Sequence, residues 1–184
     1  MLARLEPSSS LLLVVDVQEK LAAAMPQEML ARLVQNTCIL LEAARLLGVR
    51  VVATEQYPKG LGKTLAPIAE KLPQPPVEKL DFSALDEPRV AHALGSPARP
   101  RAVVVVGMES HVCVFQTVRD LAARGYATYV VEDAVASRRE ENRLAGLALA
   151  ERAGAIRTVT ETVAFDWLRR AEGDAFKTIS KLVR

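Results

Sequence analysis

Three side chains in this sequence could together perform covalent hydrolysis: Asp16, Lys79 and Cys113. A thiolate is a strong nucleophile, a carboxylate can accept and return a proton, and an ammonium group stabilises negative charge. A free thiol has a pKa of about 8.5, and a helix N-terminus with a nearby ammonium group lowers that value. We therefore expect a lowered pKa for Cys113, which would attack an acyl carbon and form a thioester.

Each of these residues also has an ordinary structural explanation. A lone cysteine is usually a small core residue, and an aspartate at a strand end often caps a helix. A lysine before a loop is usually solvated. The second cysteine, Cys38, lies in a helical pattern beside Ile39 and Leu40, so we expect it in the core.

The predicted secondary structure is what relates the three residues to one another. Short β-rich runs alternate with longer helical patterns, which implies right-handed crossovers and a mainly parallel sheet. The predicted strands are residues 11–16, 49–54, 77–79, 102–107, 126–131 and 156–159. We predict one α/β domain over residues 1–184, with three α/β/α layers and a roughly six-stranded, doubly wound sheet. Ligands of such sheets bind beyond the carboxyl ends of the strands, where the three residues are expected to meet.

The helical patterns have apolar residues at helical spacing and end at glycines or polar residues. The predicted helices are residues 29–47, 85–94, 112–124, 138–153 and 174–183, with a further candidate at 64–72. Pro88 interrupts the second pattern and makes it the weakest of the five.

Composition excludes several classes of protein. The formal net charge is +2, with 24 basic and 22 acidic side chains, too even for a nucleic-acid partner. The longest apolar runs are far shorter than a membrane span, and no secretory signal is visible. Two distant cysteines give no disulfide framework or metal motif, so we expect a reducing, cytoplasmic setting without membrane contact.

Three segments resemble the signature segments of the isochorismatase-like cysteine hydrolases, in the family's order and at about its spacing. They are residues 12–18, Val77–Lys79 and residues 105–114, and Glu132, Asp133, Ala134 and Ser137 extend the resemblance. The resemblance implies a triad of Asp16, Lys79 and Cys113. It also implies a cis peptide at Met108–Glu109, which would aim the N–H groups of Glu109 and Cys113 at the oxyanion.

The sequence departs from the nicotinamidases of that family. Where they carry a metal-binding Asp-x-His, this chain has Gln56 and Pro58, and it holds only two histidines. We therefore expect no metal, no cofactor and no nicotinamidase activity. The segment around Gln56 is instead similar to the branch of isochorismatase domain-containing proteins and YcaC-like hydrolases. His111 is an alternative base, but its place two residues before Cys113 favours a structural role.

Four further residues are candidates for contact with a small-molecule substrate: Gln18, Gln56, Tyr57 and Phe82. Tyr57 and Phe82 could equally pack their own loops, and Gln18 could equally begin a helix.

Two other functions stay open beside hydrolysis of a small amide-type C–N bond. One is vinyl-ether hydrolysis, against which Cys113 argues, since relatives with that activity typically lack the cysteine. The other is a binding or scaffold protein that retains the fold. The resemblance also implies a homo-oligomer. An apolar C-terminal pattern could contribute to its interface or close the core: Phe165, Trp167, Leu168, Phe176, Ile179 and Leu182.

Overall fold

A computed structural model describes residues 4–184 and shows a six-stranded, all-parallel sheet between two layers of helices. The strands are β1 (Ser10–Val15), β2 (Arg50–Gln56), β3 (Val77–Lys79), β4 (Ala102–Met108), β5 (Ala127–Ala136) and β6 (Ile156–Thr158). Their order is β3-β2-β1-β4-β5-β6. The chain winds outward from β1 in both directions, which confirms the predicted doubly wound sheet and places the topological switch point between β1 and β4.

Nine α-helices are present in the described part of the chain. They are α1 (Glu19–Ala22), α2 (Gln27–Leu47), α3 (Pro58–Leu61), α4 (Ala66–Ala69), α5 (Pro88–Gly95), α6 (Phe115–Ala123), α7 (Glu140–Arg152), α8 (Thr160–Leu168) and α9 (Gly173–Leu182). Short 3₁₀ turns occupy Pro7–Ser9 and Ala84–Asp86, and a π-helical turn occupies Ser110–Val114. None of these helices is long and apolar enough to cross a membrane.

The sheet is covered on both faces, because alternate residues of the central strands enter two separate apolar clusters. Leu12 and Val104 pack with α2, α8 and α9, where Trp167 and Ile179 are buried. Leu13 and Val105 pack on the other face with α5, α6 and α7. Burial on both faces explains the continuous apolar runs of β1 and β4.

Several elements differ from the prediction. Strand β5 extends five residues beyond the predicted 126–131, and the candidate helix 64–72 is α-helical only over Ala66–Ala69. Pro88 does not interrupt a helix: it is the first residue of α5, a position where a missing N–H costs nothing. The predicted helix 112–124 begins as a π-helical turn and becomes α-helical only at Phe115. Helix α8 was absent from the sequence prediction. Its first residue, Thr160, donates its N–H and its hydroxyl to the distant carboxylate of Asp133, so the helix start depends on tertiary structure.

Candidate active site

Asp16 lies directly after β1, at the switch point of the sheet. Its φ of 51° is in the left-handed region, which a non-glycine residue adopts only where the surroundings enforce it. The Asp16 N–H donates to the Thr54 carbonyl at 3.2 Å, which ties the turn to β2. On the other side, a Cβ at Gly107 would overlap the Val15 carbonyl oxygen, so only glycine lets β4 approach this turn.

Asp16 and Lys79 form an ion pair without solvent contact. Lys79 Nζ lies 2.7 Å from Asp16 Oδ2, and both side chains have 0% exposure. The ammonium group also donates to Gln56 Oε1 at 2.7 Å and to the carbonyls of Asp81 at 3.0 Å and Phe82 at 3.2 Å. A buried charge is tolerated only when it is paired and hydrogen-bonded, and this one is surrounded by acceptors.

Thr54 is a site residue that the sequence prediction missed. Its hydroxyl donates to Asp16 Oδ1 at 2.7 Å, so the two carboxylate oxygens have different partners, Thr54 and Lys79. A signal for it existed in the strand order. Thr54 is the register partner of Val15, one residue before Asp16, so a polar residue there faces the same edge of the sheet.

Cys113 lies in the π-helical turn between β4 and α6, and it is only 5% exposed. Its thiol lies close enough to Asp16, Lys79 and Glu109 for the charges of all three to act on its pKa. The structure thus brings the three predicted residues together.

The expected lowering of the Cys113 pKa is wrong. Burial, followed by the negative charge of Asp16, raises the pKa of the Cys113 thiol to about 12, and the opposing field of Lys79 is weaker. Burial disfavours the charged thiolate because it removes water. The negative carboxylate beside the thiol disfavours it further by repulsion between like charges. The resting thiol is therefore protonated at neutral pH, next to a group that can accept its proton.

The predicted cis peptide at Met108–Glu109 is present. The Glu109 side chain is buried, and its carboxylate accepts the Arg138 backbone N–H at 3.0 Å and Arg138 Nε at 3.2 Å. Oxyanion binding by the N–H groups of Glu109 and Cys113 stays a prediction.

The four candidate substrate residues differ in their surroundings. Gln18 is fully buried, and its amide bonds the backbone of Gln56 and the carbonyl of Gly62, so it ties the turn after β1 to β2. Gln56 bonds Lys79 and the Leu80 carbonyl. Tyr57 and Phe82 are 51% and 53% exposed in the loops after β2 and β3. Substrate contact by these residues stays a prediction.

His111 and Cys38 both have structural partners. His111 Nδ1 lies 3.0 Å from the Ser137 hydroxyl. Cys38 packs against the core from α2, but it is only partly buried, and its thiol donates to the Pro67 carbonyl at 3.4 Å. The expectation that Cys38 is a core residue is thus met only in part.

No group of three or more His, Cys, Asp or Glu side chains is arranged to hold a metal ion anywhere in residues 4–184. A cavity of about 960 Å³ lies at the opposite end of β2 from the triad, beside Val51, Ala53, Leu72 and Val77. Its lining is mostly apolar, and it contains none of the groups described above.

Comparison with known proteins decides the family. Residues 10–162 match the isochorismatase domain. The chain belongs to the isochorismatase family. The secreted isochorismatase effector Isc1 of Phytophthora sojae is 37% identical over 187 residues, which cover 100% of this chain and 88% of that protein. Isochorismatase domain-containing protein 2 of Danio rerio is 37% identical over 183 residues, 99% of this chain and 90% of the relative.

Solved structures show the same fold. A Caenorhabditis elegans protein named MAR1 ribonuclease superposes with a TM-score of 0.91 at 37% identity, over 98% of this chain and 92% of that one. The YcaC gene product of Escherichia coli, described as an octameric hydrolase of unknown specificity, gives a TM-score of 0.87 over 99% and 91% of the two chains. At 20% identity, that likeness concerns the fold alone. The chain is therefore an isochorismatase-family hydrolase with an α/β fold.

Proposed function

We propose that this protein hydrolyses a small amide-type C–N bond through a thioester to Cys113, with Asp16 as proton acceptor and Lys79 as their cationic partner. The observation that carries the proposal is the fully buried Asp16–Lys79 ion pair beside a protonated thiol. Packing alone gives no reason for this combination, because a buried ion pair is weak support for stability.

The high pKa of the thiol defines the first step. The thiol proton passes to the Asp16 carboxylate as the sulfur attacks the carbonyl carbon, so a free thiolate never accumulates. The ammonium group of Lys79 stays on Asp16 and compensates the charge that moves onto the sulfur. The oxyanion is held by the backbone N–H groups of Glu109 and Cys113 in this proposal.

The remaining steps return every proton. Asp16 gives its proton to the leaving nitrogen as the C–N bond breaks, which releases the amine and leaves the acyl group on Cys113. A water molecule then gives a proton to Asp16 and attacks the thioester carbon. Collapse of that intermediate releases the acid, and Asp16 returns the proton to the sulfur. The sum is amide plus water giving acid plus amine.

The test is a panel of small aliphatic and aromatic primary amides with released ammonia as the readout. We expect Cys113→Ala to abolish turnover and Cys38→Ala to leave it intact. Full turnover by Cys113→Ala would refute the thioester. If no amide reacts and Cys113 stays inert to thiol reagents, the scaffold alternative is favoured instead.

Ribonuclease activity is the second candidate, because the similar C. elegans protein carries that name. Charge argues against it here. Arg138 pairs with Glu109 and Arg143 pairs with Glu140, so two of the three arginines in the cluster Arg138, Arg139 and Arg143 are neutralised. An RNA-cleavage assay with wild type and Cys113→Ala separates the two functions, since the proposed chemistry predicts no cleavage.

We also propose a homo-oligomer in the cytoplasm acting on a small molecule. Three exposed apolar side chains, Tyr57, Leu80 and Phe82, lie in the loops at the catalytic edge and favour association. Trp167 and Ile179 of the apolar C-terminal pattern instead close the core. Both cysteines are free thiols, which suits a reducing compartment. Light scattering tests the association, and a monomer would refute it.

A further inference from the structure

We infer that Ser137 is a positioning residue, which holds the turn carrying Cys113 through a hydrogen-bond chain of fixed direction and sets the tautomer of His111. The inference rests on the proposed function, since it assigns a role in presenting the same nucleophile. Ser137 follows β5 directly and is fully buried.

The Ser137 hydroxyl is surrounded by three groups of the nucleophile turn. Its oxygen lies 3.1 Å from the Ser110 backbone nitrogen, 2.7 Å from Ser110 Oγ and 3.0 Å from His111 Nδ1. Ser110 Oγ in turn lies 3.3 Å from the Arg143 carbonyl oxygen on α7. The chain of contacts therefore runs from His111 through both serines to α7.

Counting protons fixes the direction of this chain. A hydroxyl has one proton to donate and two lone pairs to accept with, and a carbonyl can only accept. Ser110 must therefore donate to Arg143, which leaves Ser110 Oγ to accept from Ser137. With its one proton used, Ser137 accepts from both the Ser110 N–H and His111 Nδ1. Neutral His111 then carries its proton on Nδ1. The reverse direction would leave the Arg143 contact unmade.

The chain matters for Cys113 because Ser110 and His111 begin the turn that carries it. The turn also packs tightly on α7, where a Cβ on Gly146 would lie only 2.6 Å from the His111 nitrogen and the Ser110 carbonyl group. The turn is thus held both by hydrogen bonds to the Ser137 hydroxyl and by close packing against Gly146. Without its hydroxyl, the turn loses three hydrogen-bond contacts at once, and the sulfur can drift away from Asp16.

The first test compares Ser137→Ala with Ser10→Ala, another buried serine, whose hydroxyl bonds Glu6 at the opposite end of the sheet. We expect Ser137→Ala to slow alkylation of Cys113 by iodoacetamide about tenfold or more, the effect of one to two buried hydrogen bonds. Its turnover should lose kcat with little change in KM. Ser10→Ala should leave both rates unchanged. Alkylation of Cys113 at the wild-type rate in Ser137→Ala would overturn the inference.

A second test does not remove a buried hydroxyl, so it stands if Ser137→Ala fails to fold. The Asn amide nitrogen can replace Nδ1–H as donor, whereas Gln places its amide near Nε2. His111→Asn should therefore keep Cys113 alkylation near the wild-type rate, and His111→Gln should lower it about five- to tenfold. Equal rates in the two variants would count against the chain.

Nitrogen NMR of wild-type His111 reads the tautomer directly, and an Nε2–H tautomer would overturn the inference. Neither this measurement nor alkylation needs a substrate. If no amide is hydrolysed but Ser137→Ala still slows alkylation and Nδ1–H is observed, the proposed reaction fails and the positioning role stands. If amides are hydrolysed equally well by wild type and Ser137→Ala, only the positioning role fails.

Discussion

The pKa values of both cysteines of this chain are raised, but the two thiols have different neighbours. Burial raises the pKa of Cys113, and burial also raises that of Cys38, each opposed by one lysine, Lys79 and Lys71. Cys38 has a backbone carbonyl as its acceptor, which cannot take a proton at neutral pH. Cys113 lies beside the carboxylate of Asp16, the group that we propose as its proton acceptor.

A lowered thiol pKa therefore does not distinguish the proposed nucleophile, Cys113, from Cys38. Neither thiol is ionised at neutral pH, so reactivity depends on a base positioned beside the sulfur. A fully buried ion pair lies beside Cys113, whereas the charge that acts on Cys38 belongs to the exposed Lys71. The following variants and measurements each change or test one part of the difference between the surroundings of Cys113 and those of Cys38.

The largest effect is expected for Asp16→Asn, which keeps the shape of the side chain but cannot accept a proton. Turnover and alkylation of Cys113 should fall about 10²- to 10⁴-fold, the usual contribution of a general base. Alkylation of Cys38 should not change, which serves as the internal control. A fall of less than about threefold at Cys113 would make the two cysteines equivalent and refute the role of Asp16.

Lys79→Met tests the buried charge itself. Removing one partner leaves the Asp16 carboxylate buried and uncompensated, so the free energy of unfolding should drop by about 3–5 kcal/mol. Lys63→Met is the matched control, because Lys63 pairs with Glu55 and Glu78 but is 68% exposed. Its loss should stay below about 1 kcal/mol in the same urea titration. Equal losses would mean that burial of the Asp16–Lys79 pair has no special cost.

Gly146→Ala disturbs the packing of α7 against the turn that carries Cys113, and it changes no charged group. The added methyl group overlaps the backbone of Ser110 and His111, so we expect a loss of about 1–3 kcal/mol in unfolding free energy and slower alkylation of Cys113 but not of Cys38. Gly95→Ala meets no atom within 4 Å and should change stability by less than about 1 kcal/mol. Unchanged alkylation in Gly146→Ala would show that the turn tolerates displacement.

The smallest expected effect is the response of Cys113 to pH. A free thiol reacts about eightfold faster at pH 9 than at pH 7.5, because its thiolate fraction rises. With a pKa of about 12, Cys113 has only about one thiolate per thousand at pH 9, so reaction through Asp16 dominates. Its alkylation should change less than about twofold over this range. A rise of about thirtyfold, in proportion to hydroxide, would show that Asp16 does not take the proton.

The sheet was largely predictable from sequence, because strands buried on both faces are continuous apolar runs. Strand β5 was predicted too short, at residues 126–131. It continues to Ala136 through Glu132 and Asp133, where its register against β4 shifts between Val105 and Gly107. Such an irregularity depends on the neighbouring strand and leaves no local pattern.

The meeting of Asp16, Lys79 and Cys113 at one edge of the sheet was also predictable, since each ends or follows a strand and lies in a resembling segment; their catalytic roles stay a prediction. The sign of the Cys113 pKa shift was not. The sequence indicates a lysine and a helix start nearby, but not the depth of burial or which charge acts more strongly on the thiol. Thr54 and Ser137 form hydrogen bonds with residues far away in the chain, so no local sequence pattern indicates those partners.

Formation of a thioester on Cys113 can be tested directly with an amide that the wild-type protein hydrolyses. The reaction is quenched during turnover, and the acyl group is located by mass spectrometry. We predict an adduct of the acyl mass on the peptide containing Cys113, absent in Cys113→Ala. An adduct on Cys38 would contradict the thioester on Cys113. So would turnover without any adduct, if Asp16→Asn and Cys113→Ala also remain active.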